Sequence, residues 1–88
     1  MTSAANKEVV STTVEKEPTF GEKAVGLSFN PSNDDAVAQC KKEFATVIDR
    51  MNDLRSKDLT GEVARMASLA ITQAQTAQMW AVKALTWK

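Results

Sequence analysis

The chain has 88 residues, eleven basic and eleven acidic, with a formal net charge of zero. That length bounds it to one small domain, and the balanced charge gives no general affinity for a nucleic acid polymer or an anionic membrane. With no His, no Tyr and a single Cys, the usual metal clusters and histidine-assisted nucleophiles lack their parts. The expectation is therefore a binding protein rather than an enzyme, with no metal and no cofactor.

The charge is unevenly placed. Residues 1–35 carry three lysines against six acids, residues 36–88 carry eight bases against five acids, and no acid follows Glu62. The three glycines form no phosphate loop. One cysteine allows no internal disulfide, no stretch is apolar enough to span a membrane, and no signal-like segment opens the chain. A reducing, cytosolic setting is expected.

Residues 1–17 are polar and poor in large apolar side chains, the composition of a flexible tail. A short strand over 8–14 is the alternative there. Residues 18–31 are punctuated by Pro18, Gly21, Gly26 and Pro31 and carry Phe20, Val25, Leu27 and Phe29. This reads as an irregular arm with a short helical turn around 22–25. Residues 1–24 are taken as the tail and arm, and 25–88 as the ligand-binding and oligomerisation domain.

The first long helix begins near Ser32, where Ser32, Asn33 and Asp34 can cap and Asp35 places negative charge in the first turn. Val37, Cys40, Phe44, Val47, Ile48, Met51 and Leu54 recur at steps of three and four, one face of an amphipathic helix. Cys40 reads as a small core residue, and Lys41 borders the stripe. The sequence 57–61, KDLTG, is the turn, with Thr60 as cap of the second helix. From there Val63, Met66, Ala67, Ala70, Ile71, Ala74, Ala77, Ala81 and Ala84 form a second stripe, rich enough in alanine for close helix approach. The expected fold is all-α: an antiparallel two-helix hairpin with an N-terminal arm. One hairpin cannot enclose a core, and Met79, Trp80, Val82, Leu85 and Trp87 spread around the end of the second helix. Both features point to an oligomer, unless the arm covers the second apolar side.

Arg65, Ser68, Thr72, Thr76 and Lys83 lie near one face of the second helix, with Gln75 and Met79 nearby. A guanidinium, hydroxyls and an ammonium without a carboxylate suit a bound phosphate, although an ordinary solvated face has a similar composition. Phe29 and Asn30 could stack on and hydrogen-bond to a base, and Lys41 could reach an anion.

Residues 65–87, RMASLAITQAQTAQMWAVKALTW, resemble the second helix of the phage anti-CBASS cyclic-oligonucleotide sponge family. Its members show an arginine, a small residue and a threonine along one face, here Arg65, Ser68 and Thr72. An ending like Met79-Trp80-Ala81-Val82-Lys83-Ala84 follows. Val25-Gly26, Phe29-Asn30-Pro31-Ser32, Val37, Lys41, Ala45 and Ile48-Asp49 resemble the family's first helix and the segment before it. The resemblance implies a sponge that withholds cyclic dinucleotides and cyclic trinucleotides from immune effectors without cleaving them. It also implies a homohexamer of hairpins in the cytoplasm of the infected bacterial host. Phe29, Asn30 and Lys41 then map near the dinucleotide pocket, and Arg65, Ser68 and Thr72 to the trinucleotide pocket. A tyrosine-arginine pair common in the family is absent here, so Phe29 offers stacking without a hydroxyl. The other reading is a helical-hairpin structural or interaction protein with no small-molecule ligand.

Overall fold

The computed structural model describes residues 17–88, which form three helices: α1 over Phe20–Val25, α2 over Asp35–Ser56 and α3 over Glu62–Leu85. No strand occurs among the described residues, and the strand considered over 8–14 lies outside them. The expected turn around 22–25 is a six-residue helix. Its start is set by a capping box, in which Thr19 Oγ1 accepts from the Glu22 N–H (3.1 Å) and Glu22 Oε1 accepts from the Thr19 N–H (2.9 Å). At its end, the Gly26 and Leu27 N–H groups return to the Lys23 and Glu22 carbonyls, satisfying orphaned acceptors of the last turn. The boundary drawn between residues 24 and 25 falls inside this helix.

α1 lies directly on α2. A Cβ placed on Gly21 would stand 2.2 Å from the Ala45 carbonyl oxygen, so only glycine allows this crossing. Asp49 Oδ1 accepts from the Gly21 N–H at 2.7 Å, serving one of the free donors of the α1 N-terminus. The arm continues through Asn30, whose amide brackets the start of α2. Its Nδ2 donates to the Asp34 carbonyl (2.9 Å), and its Oδ1 accepts from the Asp34 N–H (3.2 Å). Asp34 then caps α2 through Oδ1, which accepts from the Ala36 N–H at 2.8 Å.

α2 and α3 form the antiparallel pair, and the core sits where α1 meets them. Ile48 is fully buried with Val25, Ala45 and Ile71, ringed by Ala24, Leu27, Phe44, Met51 and Ala74. The buried ridge of α2 runs through Val37, Lys41, Ala45 and Ile48. It is thus rotated from the expected stripe. Cys40 is only half-buried, and Val47 and Leu54 are exposed. On α3 the buried positions are Ala67, Ile71 and Gln78, while Met66, Ala70 and Ala77 face outward. The cause is geometric. Each helix is apolar over a wider arc than one neighbour can cover, and α1 occupies one flank only.

The expected Thr60 takes part in the cap, its Oγ1 accepting from the Glu62 N–H at 3.4 Å, although Gly61, at φ 91°, is the residue directly before α3 and makes no side-chain cap. Asp58 adds a shorter bond, its Oδ2 accepting from the Ala64 N–H (2.7 Å) while Oδ1 accepts from the Thr60 N–H and hydroxyl. These bonds, that from Ala64 foremost, hold the Asp58 carboxyl below its ordinary range. A depressed folded-state pKa stabilises the fold above the unfolded pKa of about 3.9, and that contribution disappears as pH falls through the folded value. Asp58→Asn should therefore melt lower than the parent at pH 6, with the gap closing as melts are repeated down to pH 3.

Candidate ligand-binding sites

The residues singled out from sequence fall into two groups, separated along the hairpin. Phe29, Asn30 and Lys41 line a cleft of about 800 Å³ between the arm, the start of α2 and the C-terminal half of α3. Arg65, Ser68 and Thr72 lie on the first half of α3. From Arg65 to Gln78 in the cleft is thirteen residues, about 20 Å of helix, while Thr72 lies only three residues, about 4.5 Å along the axis, from the cleft residue Gln75.

In the cleft, Val25, Val37, Met79 and Val82 supply apolar wall and Gln75 and Gln78 supply amides. Phe29 stands at the rim, 72% exposed, free to stack on a flat ring. Lys41 is 6% exposed, inside the apolar ridge rather than at its border. Its Nζ donates to the Gly26 carbonyl (3.0 Å) and to the Phe29 carbonyl, and it lies 5.5 Å from the Phe29 ring centroid. An ammonium with two carbonyl acceptors is tolerable at this depth. It ties the arm down and sets where Phe29 projects. The Asn30 amide is likewise engaged at both ends by Asp34. Lys41→Met keeps the stem and removes the charge. We expect it to cost about 2 kcal/mol and to lower the melting temperature, whereas Phe29→Ala should leave that temperature within about 2 °C of the parent.

In the second group the guanidinium of Arg65 is exposed but not alone. Glu62 pairs with it through Nη2 at 2.6 Å and Nε at 3.3 Å, which holds Arg65 still more firmly protonated. The stripe expected to be free of carboxylates thus has one at its foot. An anion arriving at Arg65 must displace Glu62. Ser68 faces α2, where its Oγ accepts from Arg55 Nη1 at 3.0 Å, leaving its own hydroxyl proton to donate. Thr72 is exposed, and its carbonyl accepts from the Thr76 hydroxyl. Lys83, at the far end of the stripe, rests over Trp80 (5.2 Å) and Trp87 (5.8 Å).

Sequence reasoning passed over Gln78. The signal was in the register: it falls seven residues beyond Ile71 and eleven beyond Ala67, both buried on the same face, so a glutamine there is a buried amide.

The helical hairpin thus carries an apolar cleft toward one end and an exposed arginine-hydroxyl stripe toward the other. Residues 22–86 match the family model described as Acb2/Tad1, hairpin domain. The chain belongs to that family, the anti-CBASS sponges of the helical hairpin type. No curated protein and no solved structure matches it. Among the described residues, no helix is long and apolar enough to cross a membrane.

Proposed function

We propose that this chain sequesters cyclic dinucleotides and cyclic trinucleotides of bacterial antiphage immunity, holding them without cleavage in the cytoplasm of the infected host. The observation that carries the reading is the pairing, on one family hairpin, of an apolar cleft rimmed by an exposed aromatic with a separate exposed arginine-hydroxyl stripe. A stacked base on Phe29 would gain about 1–3 kcal/mol, and the cleft volume lies within the range of small-molecule sites. The stripe suits phosphate, since Arg binds two oxygens at once and Ser68 and Thr72 each donate one hydroxyl. Tight retention needs no bond-breaking group.

Self-association, as a homohexamer, belongs to the same proposal. Val47, Leu54, Met66, Met79, Trp80, Leu85 and Trp87 are all substantially exposed on a single chain, more apolar surface than a small monomer usually presents to water. Several copies of Arg65 around a symmetry axis would face a ring of phosphates, and enclosure between subunits would strengthen those pairs by excluding water.

Isothermal titration with a panel of cyclic di- and trinucleotides tests the function. Heat at fewer than one ligand per chain supports pockets shared between subunits. A flat trace from folded, oligomeric protein overturns the proposal in favour of the interaction module that the exposed apolar surface would also serve. Where the parent binds a cyclic trinucleotide, Glu62→Gln should tighten that binding by about two- to five-fold, because the anion no longer displaces a surface ion pair of modest strength.

A further inference from the structure

Arg55 carries a guanidinium that the fold positions but does not neutralise. It sits in the last turn of α2 and is half-buried. From there it reaches both neighbouring helices. Its Nε donates to Asn52 Oδ1 at 3.0 Å, its Nη1 donates to Ser68 Oγ on α3 at 3.0 Å, and its guanidinium lies over the Phe20 ring of α1, 5.2 Å from the centroid. Both hydrogen-bond partners are neutral, and among the described residues no carboxylate pairs with it. A guanidinium has five N–H donors, and these bonds use two of them. Arg65 is placed differently, because Glu62 already offsets its charge.

We infer that Arg55 is a second arginine of the phosphate site on α3, delivered from α2 and joined to the ligand through Ser68. The inference rests on reading Arg65, Ser68 and Thr72 as a phosphate-binding stripe, and it adds the residue that supplies the stripe's uncompensated charge. Ser68 Oγ accepts from Arg55, which turns its own hydroxyl proton toward another acceptor. A phosphate oxygen taking that proton would stand about 6 Å or less from Arg55 Nη1, two hydrogen bonds end to end. A modest swing of the side chain then brings the unused N–H groups onto it. An anion at Arg65 must first displace a carboxylate, whereas an anion at Arg55 displaces none among the described residues. Asn52 and the Phe20 ring hold the guanidinium plane before any ligand arrives, so little freedom is lost on binding.

The competing role is a strut that only ties α1 to α3, and salt dependence separates the two. The full chain, Arg55→Gln and Arg55→Lys are titrated at low and high salt with cyclic trinucleotides built from adenosine and guanosine. Arg55→Gln keeps a donor toward Ser68 and removes the charge. It should weaken the tightest of these ligands by about ten- to hundred-fold, and the affinity that remains should respond less to salt than the parent's. Arg55→Lys keeps the charge without the two-pronged geometry. It should recover the parent's salt response and part of the affinity. Parental affinity in Arg55→Gln overturns the inference, as does a loss of affinity that leaves the salt response unchanged, whatever happens to the melting temperature. If Arg55→Gln binds normally while Arg65→Ala does not, the stripe reading stands without Arg55. A parent that binds no cyclic trinucleotide removes both.

Discussion

Gly21→Ala is expected to lower the melting temperature by about 10–20 °C at fixed protein concentration, measured by circular dichroism. The added methyl would lie 2.2 Å from the Ala45 carbonyl oxygen and 2.9 Å from Asp49 Oδ1. The first is backbone in the middle of a 22-residue helix and cannot swing aside. The only relief is to lift α1, which uncovers Val25 and Leu27 and breaks the bond between the Gly21 N–H and Asp49. Overpacking of this kind costs about 2–3 kcal/mol, and each kcal/mol moves a domain of this size by about 4–8 °C. Gly61→Ala is the control. Gly61 has no atom within 4 Å of an added Cβ, and its φ of 91° is its only demand, so the loss there should be about 1 kcal/mol. If both variants melt alike, the close crossing of α1 over α2 is wrong. The Gly21 variant should also lose ligand from the cleft, since Ala24 and Val25 line it.

On the proposed function, Arg65→Ala should abolish measurable cyclic trinucleotide binding while leaving self-association, read by light scattering, and the cleft around Phe29 intact. Arg65 is exposed and its guanidinium pairs with Glu62, itself exposed, so its removal takes nothing from the core. The effect is multiplied if several copies face one ligand. A loss of about 2 kcal/mol per charge-assisted contact compounds over three of them to about four orders of magnitude. Arg65→Lys restores the charge but not the two-pronged geometry and should recover only part of the affinity. If Arg65→Ala binds trinucleotides as the parent does, the stripe is a solvated helix face. If it fails to assemble, Arg65 belongs to an interface.

The sequence by itself determined the two long helices, their turn and a cap among Ser32, Asn33 and Asp34, because these depend on local periodicity and on side chains bonding to backbone a few residues away; the structure chose Asp34. It also set Arg65 and Thr72 on a polar face of the second helix, off its apolar stripe, and both side chains are exposed. Tertiary structure decided the rest. Which flank of a broadly apolar helix is buried depends on where its neighbours lie. The seat of α1 moved the ridge of α2 from Cys40 and Val47 to Lys41 and Ala45. That same shift turned Lys41 from a surface cation into the buried clamp of the arm, through carbonyls twelve and fifteen residues away. Gln78 lies in register with the buried Ala67 and Ile71, but that it borders a cleft depends on the arm folding back over α3, whereas the Glu62–Arg65 pair is an i,i+3 contact that the spacing on α3 already allows. The seat of α1, the Lys41 clamp and the cleft are contacts between segments far apart in the chain, and such contacts are not written in the spacing of residues along one helix.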